Sequence, residues 1–515
     1  MASKSQRTGQ IFYFGKTDSS AKIDGMKQRF RHYSAISILF HYFGLILFVG
    51  GVPLFIPAFM AQFIDHNPLL AYCFYMPGIA AIIFGTGFTK VFHKRELDLG
   101  GATVLSAFIW LVLPFISAIP YVLAGRLVSG YMGLSPVDAF FESMSGYTAT
   151  GLTMYTNVEA LPKSILFWRS LTEWIGGVGV IVLFLTVFIR RSGTVAHKLY
   201  SAEGRSDRIV PSVISTARQI WLIYLGYTLA GTLALMALGM SAFDSLNHSM
   251  TAMATGGFSV KNASIGAYGN PLYEDVIMLL MLLGGISFVL HSKLLRGKVK
   301  EFLSNIEIST MFFIVLFFSI AMYLSMHKGG PFDAGGMQAA FFQSISALTG
   351  TGFATQDISK WNDFSKFIMT ILMVFGGGYG STASALKLIR VAVLLYAVWW
   401  TAKRTLLPEH AIVKFKMAGR VYSEKELQSV ALYAWVYLTI LVLGALVFMF
   451  GGHSAVDSLF EVASAEGNVG LSVGITSPLM PLHQKIVLII EMWAGRLEIF
   501  PVLILFLAPF KKHIR

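Results

Sequence analysis

The sequence predicts an all-α polytopic membrane protein, with four membrane–pore-loop–membrane repeats around one pseudo-fourfold pore and a two-helix unit in front. Three observations carry this. The 515 residues are 55% hydrophobic and only 13% charged, far too apolar for a soluble protein of two or three domains. A short phrase of glycine, threonine and small residues occurs four times, about 100 residues apart and each time between long apolar segments. Basic residues gather in alternate loops, which gives the chain a consistent sidedness.

The phrase reads SMSGYTATGLT around Gly151, MTAMATGGFS around Gly256, ISALTGTGFAT around Gly352 and ASAEGNVGLS around Gly470. Thr150, Thr255 and Thr351 precede the first three glycines, and Val469 precedes the fourth. Each copy opens on a helix start. Ser135-Pro136-Val137-Asp138 sets Ser at the N-cap, Pro at the first helical position and an acid at the third. Ser241-Ala242-Phe243-Asp244 and Ser454-Ala455-Val456-Asp457 repeat that spacing, and Gly335-Gly336-Met337-Gln338 offers a weaker version. About 15 to 17 residues separate each cap from its glycine, room for a helix of roughly 16 Å, half a bilayer, and an extended segment.

Non-helical backbone at membrane depth is tolerated where it lines a polar cavity. The carbonyl end of such a half-helix points partial negative charge inward, which favours a cation. Glycine after the turn lets carbonyls crowd around an ion without a Cβ in the way. Four such loops closing a ring would make a cation filter. Nine residues before each glycine stands a polar side chain: Glu142, Asn247, Gln343 and Glu461. These either hold the loops from behind through backbone N–H groups or face the vestibule.

In chain order, residues 1–97 are a tail carrying Lys4, Arg7, Lys16, Lys22, Lys27 and Arg29, then apolar segments at about 34–60 and 69–92 parted by Ile64-Asp65-His66-Asn67-Pro68. No cleavable leader is evident. The four repeats occupy 98–200, 201–299, 300–415 and 416–515. Their flanking spans lie at about 103–124 and 167–189, 218–240 and 273–291, 308–326 and 366–400, and 428–450 and 486–510. With the front pair, that makes ten full spans.

Loops on the N-terminal side carry Lys90, Lys94, Arg95, then Arg190, Arg191, Lys198, Arg205, Arg208, then Lys293, Arg296, Lys298, Lys300. They continue with Lys403, Arg404, Lys414, Lys416 and end in Lys511, Lys512, Arg515. The opposite side has Arg126, Lys163, Arg169, Lys261, Lys328, Lys360, Lys366 and Lys485. The positive-inside rule therefore puts both termini in the cytosol and brings the glycine loops in from outside. It also accounts for the net charge of +13 without nucleic acid. The lone Cys73 excludes an intramolecular disulfide and a CxxC metal site, and the twelve histidines lack ligand spacing. No transition-metal site, organic cofactor or nucleophile–base set is expected, so the chain reads as no enzyme.

Two spans break the apolar rule. Gly376, Gly377, Gly378, Tyr379, Gly380, Ser381, Thr382, Ala383 and Ser384 interrupt the second span of the third repeat, just before Lys387. The small residues either allow close helix packing or mark an unwound segment in the pore. Each glycine costs about 1 kcal/mol in a helix relative to alanine, which favours unwinding. The spacing is not that of a phosphate-cradling G-x-x-x-x-G-K loop. In the fourth repeat, Trp493-Ala494-Gly495-Arg496-Leu497-Glu498 puts Arg496 near mid-span. It either pairs with Glu498 or another acid, or aims its charge at the pore.

Together with Trp174-Ile175-Gly176-Gly177-Val178-Gly179, GGGYGST with its lysine, and GRLEIF near the end, the fourfold phrase resembles the bacterial TrkH/TrkG/KtrB potassium-uptake family over residues 30–515. The extra pair of spans at the front is similar to TrkH and TrkG. The resemblance implies potassium uptake across the bacterial inner membrane by the translocating subunit of a Trk-type system. K+ would be held by filter carbonyls around Thr150, Gly151, Thr255, Gly256, Thr351, Gly352, Val469 and Gly470. It also implies an intramembrane gate from Gly376 to Ser384 with Lys387, a barrier role for Arg496, a homodimer, and a cytosolic nucleotide-binding regulatory subunit of the TrkA type. Ala383-Ser384-Ala385 stands where the family usually continues with glycines, which bears on the flexibility of the gate. The second reading is an ion-coupled secondary transporter, a proton or sodium symporter of potassium or sodium. Four re-entrant loops favour the channel-like one.

The sidedness is testable with single cysteines in a Cys73→Ser background. Lys261→Cys and Lys360→Cys should react with an impermeant thiol reagent added outside, and not from inside. Labelling from inside alone would overturn the four-repeat arrangement.

Overall fold

The computed structural model describes residues 37–92, 99–179, 213–327, 332–408 and 413–507. The N-terminal tail, Lys94, Arg95, the far end of the 167–189 span with Arg190 to Arg208, Lys328, and Lys511 to Arg515 lie outside the described residues. Among those described, the regular secondary structure is helical apart from one hairpin pairing Lys416–Met417 with Arg420–Val421.

The front unit is α1 (Ser37–Phe63) and α2 (Pro68–Val91), both long and apolar enough to cross a membrane. Glycine notches bring their backbones together. A Cβ on Gly85 would meet the Gly44 carbonyl at 2.6 Å, and one on Gly51 the Gly78 carbonyl at 2.9 Å. Asn67 starts α2 by accepting from the Leu70 N–H at 3.0 Å, with Pro68 at the first helical position.

Each repeat then opens on a long helix: α3 (Leu99–Leu127), α6 (Val213–Ala237), α10 (Ile306–His327) and α14 (Glu424–Phe450). A half-helix follows: α4 (Pro136–Tyr147), α7 (Ala242–Ala254), α11 (Ala334–Thr349) and α15 (Ala455–Glu466). After a glycine turn, the chain enters a second helix: α5 (Lys163–Val178), α8 (Pro271–Gly285), α12 (Asp363–Phe375) and α16 (Leu482–Arg496). Asp65 of the front unit caps α5 by accepting from the Lys163 and Ser164 N–H groups at 3.1 and 3.0 Å.

Ten uninterrupted spans are not what forms. Among the described residues, six helices are long and apolar enough to cross, or seven if one bent pair is counted. The second helices are the reason. α8 turns by 108° into α9 (Phe288–Leu295). α12 stops at Phe375 and the chain is helical again only in α13 (Leu388–Thr405), while α16 gives way to α17 (Phe500–Leu507) after Arg496. The break at 376–387 was legible in its glycines. The breaks after Gly285 and Arg496 were not, because Ile286, Leu497 and Ile499 are ordinary apolar residues. Tertiary partners decide them. The Gly284 and Gly285 carbonyls accept from Thr382 and Gly378 N–H groups at 3.2 and 2.8 Å instead of continuing the helix, and Glu498 and Ile499 sit at φ 55° and 64°.

Three half-helices start as expected, with Ser135, Ser241 and Ser454 accepting from the N–H of Asp138, Asp244 and Asp457. The third starts differently. Asp333, ahead of the glycines, caps α11 by accepting from the Gly335 and Gly336 N–H groups at 3.1 and 2.9 Å.

Each half-helix start is tied to the second helix of the preceding repeat. Lys163 lies over the Phe243 ring at 5.8 Å, Gln338 donates to Asp275 at 3.3 Å, Lys366 pairs with Asp457 at 2.9 Å, and Lys485 pairs with Asp138 at 2.5 Å. The last contact joins the fourth repeat to the first and closes the ring. Lys366 and Lys485, counted by sequence among the outward charges, are in fact buried in these pairs.

Removing one partner of a buried pair strands the other. Lys485→Ala should therefore cost about 3 kcal/mol, read as a lower unfolding midpoint in detergent, and Asp138→Asn in the same chain should restore part of it. An unchanged midpoint would mean the pair does not close the ring.

Candidate functional site

The half-helices end at Tyr147, Ala254, Thr349 and Glu466, and one residue after each helps turn the chain out of the helix. Ala149, Thr255 and Asn468 have φ 52°, and Gly350 has φ 72°. Two positions on, Gly151, Gly257, Gly352 and Gly470 have φ of 92°, 82°, 85° and 95°. These four also touch the neighbouring loop. A Cβ on Gly151 would meet the Gly256 carbonyl at 2.1 Å, and one on Gly257 the Thr351 carbonyl at 2.0 Å. One on Gly352 would meet the Val469 carbonyl at 1.9 Å, and one on Gly470 the Thr150 carbonyl at 2.1 Å. Each loop thus abuts the next, and the fourth abuts the first. No side chain fits at any of the four glycines. A cavity of about 610 Å³ opens over the ring and is lined by all four.

The second copy is out of register with the reading from sequence. Gly257, not Gly256, occupies the place of Gly151, Gly352 and Gly470, and Gly256 rather than Thr255 stands where Thr150, Thr351 and Val469 stand. The Thr-Gly dipeptide misled. Cap spacing gives the correct answer: sixteen residues separate Ser135 from Gly151 and Ser454 from Gly470, and only Gly257 lies sixteen after Ser241.

The polar residues nine positions earlier shift with it, so His248 replaces Asn247. Asn247 merely donates to the Phe243 carbonyl of its own helix. Glu142 accepts from the Met154 N–H at 2.7 Å, Gln343 from the Thr355 N–H at 3.2 Å, and Glu461 from the Val473 N–H at 3.1 Å. His248 Nε2 lies 3.0 Å from Ser259 Oγ. All four are fully buried and hold the loops from behind.

Arg169 is the residue sequence reasoning undervalued, taking it as one more outward charge. Its Nε meets Glu142 at 2.7 Å, its Nη1 donates to the Ser259 carbonyl at 3.1 Å and its Nη2 to Thr153 Oγ1 at 3.1 Å. It binds the first loop to the second. Glu173, one turn along α5, accepts from the Phe258 N–H at 3.1 Å. An arginine and an acid four residues apart inside an apolar span were the available signal. In the fourth loop, which lacks the threonine, the Asn468 amide donates to Thr150 Oγ1 and to the Met492 carbonyl, each at 2.9 Å.

Residues 376–387 form no helix, and their contacts span three repeats. Thr382 Oγ1 donates to the Gly284 and Met253 carbonyls at 2.9 and 3.1 Å. The Tyr379 N–H donates to Glu307 at 2.8 Å, and Phe288 N–H to the Gly380 carbonyl at 3.3 Å. A Cβ on Gly377 would meet the Gly285 carbonyl at 2.9 Å. Lys387 is buried and donates to the Ala383 carbonyl. Ala385 holds φ 64°, a left-handed conformation that costs a residue bearing a Cβ more than it would cost glycine.

Arg496 does not use Glu498. Its guanidinium donates to the Thr382 carbonyl at 2.9 Å, and to the Gly176 and Gly177 carbonyls at 2.5 and 2.8 Å. Glu498 instead pairs with Arg390 at 2.5 Å, and Arg390 lies over the Tyr433 ring at 4.2 Å. A cavity of about 40 Å³ lies between Trp110, the 380–387 backbone and Arg496. Gly176 itself is wedged against the Tyr147 carbonyl, 1.9 Å from where a Cβ would be. Among the described residues, no three His, Cys, Asp or Glu side chains gather where they could hold a metal ion.

A closed ring of loop carbonyls with an open cavity over it, and an arginine held by backbone carbonyls, form an arrangement suited to passing a monovalent cation. Known proteins resemble this chain closely. The model of the TrkH family, described as cation transport protein, matches residues 74–513. An uncharacterized cation transporter of Methanocaldococcus jannaschii is 37% identical over 93% of this chain and 96% of its own. The Trk system potassium uptake protein TrkH of Escherichia coli is 31% identical, over 84% of this chain and 95% of its own. The crystal structure of the potassium transporter TrkH from Vibrio parahaemolyticus superposes with a TM-score of 0.81 at 28% identity, covering 92% of this chain and 99% of that one.

Proposed function

This chain belongs to the TrkH family of cation transport proteins, and from that premise we propose that it takes up potassium across the inner membrane as the translocating subunit of a Trk-type system. The observation that carries the reading is the closed ring of glycine turns, in which four equivalent carbonyls come from four loops. A potassium ion collected in the outer cavity exchanges its water for the carbonyls of Thr150, Gly256, Thr351 and Val469, with Gly151, Gly257, Gly352 and Gly470 leaving the room. Glu142, Gln343, Glu461, His248 and Arg169 keep the loops from collapsing or spreading.

Below the ring, the segment from Gly376 to Ser384 with Lys387 acts as the gate, and Arg496 as an electrostatic barrier. At about 8 Å and an effective dielectric near 20, a like charge opposes a passing ion by roughly 2 kcal/mol. A cytosolic nucleotide-binding subunit of the TrkA type moves the gate by acting on the basic stretch after Trp400, and the protein works as a homodimer.

Flux measured in proteoliposomes with ion substitution tests the filter. Gly→Ser at 151, 257, 352 or 470 should lower the preference for potassium over sodium by roughly tenfold, about 1.4 kcal/mol in relative site energy, in protein that still assembles. An unchanged ratio in all four would make them packing residues. Uptake driven against the potassium gradient by a proton gradient would assign a symporter instead.

Deleting Gly377 to Ala383 should give constitutive flux without the partner and with selectivity retained. If the shortened protein folds, binds its partner and still conducts only in its presence, the segment is not the gate.

A further inference from the structure

We infer that Glu307 is the positioning residue that holds the gate segment shut from the cytosolic side, and that the reach of its side chain sets the closed position. The inference rests on the gate reading above. Glu307 lies in the first turn of α10, where Asn305 Oδ1 accepts from its N–H at 2.8 Å. Its Oε1 accepts from the Tyr379 N–H at 2.8 Å, and its Oε2 lies 3.5 Å from where a Cβ on Gly378 would be. One carboxylate therefore covers both residues at the apex of the segment.

The other holds on this segment include the Gly284, Gly285 and Met253 carbonyls, the Phe288 N–H, the Thr255 hydroxyl and Arg496. Most of these are backbone of the second repeat, Thr255 belongs to a loop of the ring, and Arg496 is already committed to Gly176 and Gly177. Glu307 is different. It lines a cavity of about 620 Å³ together with Tyr379, Arg390, Arg420, Tyr422 and Lys425. That cavity runs from the gate segment to the hairpin of Lys416–Val421, on the side the charge pattern assigns to the cytosol. A displacement of the hairpin or of the start of α10 can thus withdraw the carboxylate without disturbing the ring.

The test separates reach from charge. Glu307→Asp keeps the acid in the first turn of α10 but draws the oxygen back by about 1.5 Å, beyond hydrogen-bond distance. Glu307→Gln keeps the length and an acceptor oxygen. Tracer rubidium flux is measured for the full-length protein in proteoliposomes without any partner. Glu307→Asp and Glu307→Ala should raise basal flux roughly tenfold, as expected when a hydrogen bond of this kind is lost from one side of a two-state equilibrium. Glu307→Gln should rise far less, and the potassium-to-sodium ratio should stay unchanged in all three. In the chain lacking Gly377 to Ala383, the same substitutions should add nothing.

Glu307→Asp at wild-type flux, or Glu307→Gln as leaky as Glu307→Ala, overturns the inference. Should Glu307→Ala fail to assemble, the Asp and Gln variants decide between them. A deletion that is constitutive while Glu307→Asp stays closed removes the role of Glu307 and leaves the gate. A deletion that conducts no more than wild type removes both.

Discussion

Peptide groups that lie inside a membrane and outside regular helix have no water to fall back on, and each one left unpaired costs several kcal/mol. That constraint organises this molecule. The four loops after the half-helices give up helical hydrogen bonding where each packs a carbonyl against a neighbouring loop's glycine, and their N–H groups must then be satisfied from outside the ring. Glu142, Gln343 and Glu461 do this from within their own repeats, and Glu173 does it from the first repeat for the second. Buried acids would be a liability elsewhere. Here Glu142 is held by Arg169, which also binds the Ser259 carbonyl, so one pair serves two loops.

The same accounting explains why the second helices break. Gly284 and Gly285 have no side chains to keep the neighbouring segment away, so their carbonyls are within reach of the Thr382 and Gly378 N–H groups. The 376–387 backbone gains partners by taking them from α8, which bends by 108° where it loses them. Arg496 completes the set by donating to the Thr382, Gly176 and Gly177 carbonyls. Unwinding in the third repeat and the bend in the second are therefore one event, shared across an interface.

Much of this was open to a reader of the sequence, for physical reasons that differ by element. The half-helices were legible because a cap, a fixed length and a glycine turn are all local. The 376–384 break was legible because four glycines penalise a helix whatever surrounds them. The bend after Gly285 and the breaks after Arg496 were hidden, because they are set by partners from about 90 to 320 residues away in sequence. The shift from Gly256 to Gly257 was a different failure. Matching letters outweighed matching distance, although a half-helix of fixed length fixes the glycine by its spacing from the cap. Asp333 escaped notice because it sits before Gly335 and Gly336, and Glu498 was weighed only against the arginine two residues away, whereas it pairs with Arg390.

The four repeats are equivalent in backbone and unequal in chemistry, and the inequality follows from what each must hold. The first loop bears the ion pair Glu142–Arg169, the second a neutral-capable His248, the third Gln343, and the fourth Glu461 with three hydroxyl or amide partners. Among the described residues away from the ring, the third repeat supplies the unwound glycine run and the fourth the arginine that donates to it. The Arg496 guanidinium gathers three carbonyls, Gly176 and Gly177 of the first repeat and Thr382 of the third. A cluster of carbonyls that would draw a cation is in this way already occupied by one that is tethered to the chain. Displacing it requires that those carbonyls find another positive charge or water. The carbonyls it holds are not those of the ring, which come from Thr150, Gly256, Thr351 and Val469, so withdrawing the guanidinium would leave the ring's own acceptors unchanged.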